Sequence, residues 1–234
     1  MNVKEFNGHN PSHRRICRIV RGMGPSGFSL VELLIAMAVG MVILAAMFGL
    51  FTIQNKQLSN QDVITEMQQN ARMAVDIVTR EVRMAGYNPN PNLTGTPLAY
   101  CTGTTTTTAT CVGIKNAAAN TISFTADLNA NGSLTAGTAN PNENLVFDRY
   151  LSSGIYALGR TSNGVKQPVI EHLDLLSFSY LDANGSTTTN LANIREVQIT
   201  IRTIASKMDP AYPTNGGYRT YTLTSRVAVR NLPL

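Results

Sequence analysis

Gly27-Phe28-Ser29-Leu30-Val31-Glu32 opens the segment whose reading decides the rest of the chain. It runs directly into 19 residues without a charge, Leu33 to Phe51. As a helix, a run of that length is sufficient to cross a bilayer. Glu32 breaks the pattern, because a carboxylate at the centre of a membrane helix costs roughly 2.5–3.5 kcal/mol on insertion scales. A residue kept there at such a cost is a candidate for function rather than packing. Were the Gly27–Phe28 peptide bond cut, Glu32 would lie one helical turn from a new α-amine, and each charge could neutralise the other. An ordinary secretory signal fits less well. Its apolar region is shorter, about 7–15 residues, and no A-x-A-like cleavage site follows Phe51.

The basic stretch ahead of Gly27, the Gly-Phe pair, Leu30, Glu32 and the apolar run resemble the processing and assembly signal of type IV prepilins. The resemblance implies that a prepilin peptidase removes residues 1–27 and methylates Phe28, and that Glu32 guides the subunit into a filament. Further along, Gln68-Gln69-Asn70-Ala71-Arg72-Met73-Ala74-Val75-Asp76 and Arg83-Met84-Ala85-Gly86-Tyr87 are similar to PilW-like minor pilins, a group related to the J pseudopilins of type II secretion. This implies a pilin-like α+β fold, in which a long N-terminal helix, half membrane and half amphipathic, packs on a C-terminal antiparallel β-sheet head. It also implies a minor structural role in pilus assembly or initiation. The implied partners are the peptidase, other minor and major pilins, the inner-membrane assembly machinery and the bilayer. Before assembly the chain would be a single-pass inner-membrane protein with its head in the periplasm; after assembly it would be part of an extracellular pilus. A type II secretion pseudopilin is the alternative within the same superfamily.

Charge supports the topology and little else. The formal net charge is +5, but residues 1–27 hold Lys4, Arg14, Arg15, Arg18 and Arg21 against Glu5. Taking these from totals of 19 basic and 14 acidic residues leaves 14 and 13, so the remainder is close to neutral. The basic leader is expected to stay cytoplasmic and send everything after Phe51 outward. Translation is read from Met1, since no basic residue lies between Met23 and the cut. Of three cysteines, Cys17 would leave with the leader. Cys101 and Cys111 would then face an oxidising space, where a disulfide closing the Thr-rich loop is expected rather than two free thiols.

Beyond Phe51 the apolar residues Ile64, Met67, Ala71, Ala74, Val78, Val82 and Ala85 recur at steps of three and four, the stripe of an amphipathic helix. Glu66, Arg72, Asp76, Arg80 and Arg83 fall off that stripe. Gly86 and the Asn-Pro-Asn-Pro that follows Tyr87 end the helix, giving a span from Phe28 to Ala85. Gly40 and Gly49 interrupt its membrane half, with no proline to kink it. The divisions expected are 1–27 leader, 28–53 membrane and assembly helix, 54–86 amphipathic extension, and 87–234 head. Residues 88–110 read as loop. Strands are expected at Thr121–Ala126, Leu145–Tyr150, Ile155–Arg160, Val169–His172, Leu175–Leu181, Ile194–Ala205 and Tyr218–Val229, with hairpin-style turns at Asn131-Gly132, Asn163-Gly164 and Asn184-Gly185.

Nothing in the pattern argues for an enzyme. Outside the leader His172 is the single histidine, with no nucleophile motif around it, and neither a phosphate loop nor an H-E-x-x-H is present. No cofactor is expected, with one candidate exception. Asp127, Asn129 and Asn131 followed by Gly132 match the first half of a calcium loop. The place of its bidentate Glu is taken by Thr138, and the nearest acid is Glu143. A turn built from Asn and Gly explains the same letters. Arg195, Arg202, Arg219, Arg226 and Arg230 suggest a rival of a different class, a membrane-anchored β domain that binds DNA or a surface ligand. The near-neutral charge favours a solvated strand face instead, and nucleic acid is not an expected partner.

Overall fold

The computed structural model describes residues 27–90, 98–105, 111–134, 140 and 142–232. The leader up to residue 26 with Cys17, most of the Thr-rich loop and Thr138 lie outside the described residues. The chain divides into two compact units between Ile53 and Gln54. One helix, α1, runs from Leu30 to Val82. It contains no proline and is rich in Leu, Ala, Met and Gln, all good helix formers.

In the first unit every large apolar side chain is exposed, from Leu30 to Ile53. This part is long and apolar enough to cross a membrane. The helix continues unbroken through Gly40 and Gly49, and a β-carbon at either would meet nothing within 4 Å.

In the second unit the same helix is one-sided. Met67, Ala71, Ala74, Val75, Val78 and Val82 are buried, while Glu66, Arg72, Asp76, Arg80 and Arg83 are exposed. The helix stops at Val82, three residues earlier than the periodicity suggests. Residues 83–86 form a tighter turn, with Met84 and Ala85 N–H groups bonded to the carbonyls of Glu81 and Val82 at 3.0 and 3.1 Å. Gly86 ends it with φ +84°, and its N–H donates to Thr125 O at 3.0 Å. A β-carbon there would lie 2.8 Å from Asn231 O, so glycine is required both for the backbone angle and for the space.

Two antiparallel meanders receive the buried stripe. The first comprises β1 (Gly113–Ala117), β2 (Thr121–Thr125), β3 (Asn144–Ser152), β4 (Ile155–Ser162) and β5 (Val165–Glu171), paired in that order. The second comprises β6 (Leu173–Leu181), β7 (Glu196–Ile204) and β8 (Thr220–Ala228). Strand β7 alternates cleanly, with Val197, Ile199, Ile201 and Thr203 buried. Val197, Ile199 and Ile201 join Ala74, Val78 and Val82 of the helix and Phe124, Phe147 and Leu158 of the first sheet in one core. Tyr180 fastens the sheets together, its hydroxyl donating to Ala118 O at 2.9 Å. Burial pushes that phenol well above its ordinary range. The layout is α+β and pilin-like, as the sequence suggests.

Three local expectations change and one holds. Strand β1 is additional, its pattern disguised by buried Lys115 and by a register shift between Ile114 and Asn116. His172 is a corner rather than a strand residue, at φ +57° where the chain leaves the first sheet for the second. Asn163-Gly164 does form a two-residue turn with both φ positive, and Ser153-Gly154 does the same between β3 and β4. Asn131-Gly132, by contrast, is no hairpin turn. It lies inside the long connection from β2 to β3, where its neighbours are held by side-chain hydrogen bonds instead of a strand ladder.

Candidate functional site

At the start of the helix, Phe28 is 89% exposed and Gly27 has open space around it. The Gly27–Phe28 bond therefore lies in a free, non-helical lead-in. Ser29 begins the first turn: its carbonyl accepts the first helical bond from Leu33 N–H at 3.1 Å. Glu32 reaches back so that Oε2 accepts from Ser29 N–H at 2.9 Å. Serine followed three residues on by glutamate is half of a capping box, which satisfies an N–H that the helix leaves orphaned. The reading of Glu32 from sequence missed this, although the S-x-x-E spacing was its signal. The arrangement also bears on chemistry. The carboxylate already holds the amide next to Phe28, at the positive end of the helix dipole. A cut at Gly27–Phe28 would place an ammonium one residue away from that amide.

The stem of the second unit is pinned to the head by polar contacts spaced along the helix. Thr203 Oγ1 donates to Met67 O at 3.0 Å inside the core. Arg160 pairs with Glu81 at 2.9 Å, with both side chains about one-fifth exposed. Asn60 Nδ2 donates to Asp209 Oδ2 at 3.4 Å. Asp209 also accepts from the Ala211 amide at 3.0 Å and from Arg219 at 2.9 Å, and these bonds hold its carboxyl below the ordinary value.

Cys101 and Cys111 form the expected disulfide, with Cα atoms 5.0 Å apart. Both are buried, and Thr125 of β2 donates to Cys111 O at 2.7 Å, so the loop is tied to the sheet.

The Asp127 loop is built from side-chain to main-chain bonds. Asp127 is fully buried; its Oδ1 accepts from Asn131 N–H at 3.2 Å and its Oδ2 from Gly132 N–H at 2.9 Å. Asn129 Oδ1 accepts from the same Asn131 N–H at 3.0 Å. Glu143 is also buried, and its Oε1 accepts from Leu128 and Asn129 N–H at 3.0 and 3.1 Å. Asn140, which the sequence reading did not single out, accepts from Asn129 and Asn131 side-chain amides at 3.1 and 2.6 Å. Among the described residues no group of three or more His, Cys, Asp and Glu is placed to hold a metal.

Four of the five C-terminal arginines are engaged locally. Arg202 pairs with Asp174, Arg219 with Asp209, Arg226 with Gln198, and Arg195 with the carbonyls of Ala192 and Ile194. Of these partners only Asp174 and Asp209 carry an opposing charge. His172 lines an open cleft of about 380 Å³ with Glu66, Asn70 and Glu171.

Comparison with known proteins bears on the N-terminal segment. Residues 23–48 match the family described as the prokaryotic N-terminal methylation motif. A stretch of 60 residues is 38% identical to the pilin-like protein PilA3 of Thermus thermophilus, a match that spans 26% of this chain and 26% of that protein's length. With the motif at Gly27-Phe28, the exposed apolar helix behind it and the sheets packed on its second half, the chain is similar to type IV pilin-like proteins.

Proposed function

We propose that the protein is a minor structural subunit of a type IV pilus and that it acts by assembly rather than turnover. The observation that carries this reading is the hydrogen bond of Glu32 to the amide of Ser29, at the mouth of an otherwise uncharged, exposed helix. In lipid, an unpaired carboxylate at that position is costly. Pairing it with the α-amine of a processed Phe28, on its own chain or a neighbour, removes the cost and favours one axial register over others. Residues 1–27 act as a leader that a prepilin peptidase removes. Residues 28–53 anchor the subunit in the inner membrane and then join the helical core of the filament. Residues 54–86 support the head, 87–234, which faces the periplasm and later the outside. The partners are other pilins and the membrane machinery that extrudes them. Minor status rests on the likeness of Gln68–Asp76 and Arg83–Tyr87 to PilW-like chains; these positions supply the buried Ala71, Ala74 and Val75 and the Gly86 exit.

The test is incorporation. In cells that assemble pili, the wild-type chain should appear in sheared filaments at a small fraction of the major subunit. Glu32→Ala should be processed and stay in the membrane, absent from filaments. Equal incorporation of the variant would remove Glu32 from assembly. Recovery of the wild type only with a secretion pseudopilus would move the chain to that system.

A further inference from the structure

The Asp127 loop spans the connection between β2 and β3, and its arrangement goes beyond what a turn requires. Asp127, Asn129 and Asn131 stand at the first, third and fifth places of a calcium loop, with Gly132 at the sixth. Gly132 has φ +71°, the sharp bend that this place demands. The second carboxylate arrives from further along the chain. Glu143, at the foot of β3, sends its side chain back to the loop, where Oε1 binds the amides of Leu128 and Asn129. Its other oxygen, Oε2, is buried without a hydrogen-bond partner among the described residues, in a side chain only 1% exposed. A buried carboxylate oxygen with nothing to bind is costly. Here a second buried carboxylate, Asp127, belongs to the same loop. Two buried carboxyl side chains are thus gathered on one loop.

We propose that this loop is a calcium site, with Asp127, Asn129, Asn131 and Glu143 as side-chain ligands and Glu143 in the place usually taken by the twelfth loop residue. The donor chemistry selects the ion. Carboxylate and amide oxygens suit a hard cation that accepts six to eight oxygens in flexible geometry. Zinc would require His or Cys, which the loop lacks. Magnesium prefers a stricter octahedron and retains its water. Binding would also tighten the head. Asp127 N–H donates to Tyr87 O at 2.8 Å, just past the end of α1, and Ala126 N–H donates to Glu143 O at 3.0 Å. An ion at this place therefore clamps both ends of the connection to the helix exit.

The experiment uses the full chain in detergent micelles, stripped with a chelator and titrated with calcium chloride by calorimetry, with thermal melts in parallel. Saturable binding is expected with Kd on the order of 10⁻⁴–10⁻³ M, as in extracellular modules. The melting temperature should rise with calcium, and magnesium should bind at least about tenfold more weakly. Glu143→Gln keeps the shape and removes one of the two like charges. It should melt at or above the wild-type temperature in chelator and still lose calcium affinity by about tenfold or more. Asp127→Asn should lose it likewise. The absence of saturable heat and of any melting shift at millimolar calcium overturns the proposal. So does a Glu143→Gln variant that binds calcium as the wild type does, or an equal response to magnesium.

Discussion

The two stretches of α1 are the same helix written for two solvents. Leu30 to Ile53 exposes every large apolar side chain it has, and its one carboxylate is spent on the first turn. Gln54 to Val82 is charged and polar on one side, and buries Met67, Ala71, Ala74, Val75, Val78 and Val82 on the other. Helix propensity does not distinguish them. The difference is where the apolar residues fall: all round the cylinder in the first, along one stripe in the second. A helix apolar on all sides needs lipid or other helices, whereas a striped one needs only its own head. That contrast explains how one element can belong both to a membrane and to a folded domain.

The contrast can be broken from either side. Val78 is fully buried, so Val78→Asp should destabilise the head by about 4–5 kcal/mol or more, the range reached when an unpaired charge is buried. Chemical denaturation of the micelle-bound chain, read on the sheet signal, would measure it. The same substitution at Val42, which is 70% exposed, should leave that transition unchanged and cost roughly 2.5–3.5 kcal/mol in membrane insertion instead. If both variants unfold the head equally, the two halves are not independent in the way described.

Reducing the Cys101–Cys111 disulfide, or replacing both residues with serine, should cost the head about 2–3 kcal/mol for a closed loop of this size. Insertion of the membrane half should be unaffected. A smaller effect is expected at the stem. Arg160 and Glu81 are only partly shielded, so a double-mutant cycle with Arg160→Met and Glu81→Gln should give a coupling of about 1 kcal/mol or less. The smallest effect should be visible only through pH. Asp209 has its carboxyl held below the ordinary 3.8, first by the Ala211 amide and then by Arg219. Its contribution is present above pH 3.8 and lost as pH falls through the lowered value. The stability difference between wild type and Asp209→Asn should therefore shrink on acidification in that window, and a constant difference would remove the ion pair from the account.

The elements that were legible in the sequence are those whose patterns are long. Seven apolar positions at helical spacing mark the stem, and the alternation of Val197, Ile199 and Ile201 marks β7. Gly86 was readable as a terminator, although its need for space against Asn231 was not, since that contact joins residues far apart in the chain. Short or mixed signals failed. Strand β1 has five residues, one of them a buried lysine, and a bulge that breaks its alternation. Asn131-Gly132 carries the letters of a hairpin turn, and the same letters serve a side-chain-bonded loop because both need a positive φ at glycine. At the candidate site, Gly27, Phe28 and Glu32 stand in a local motif, within the stretch 23–48 that matches the prokaryotic N-terminal methylation motif. The second reading of Glu32, as a cap for Ser29, was equally local and was hidden by the first. Asn140 at the centre of the Asp127 loop, and the pairing of Glu81 with Arg160, depend on contacts across the fold, and no local pattern announces them.

The most direct test of the central claim is the N-terminus of the mature chain, read by intact mass and N-terminal sequencing after expression with a prepilin peptidase. The account predicts a chain that begins at N-methylated Phe28, with residues 1–27 gone. A chain that keeps its leader, or one cut beyond the apolar run, would contradict it.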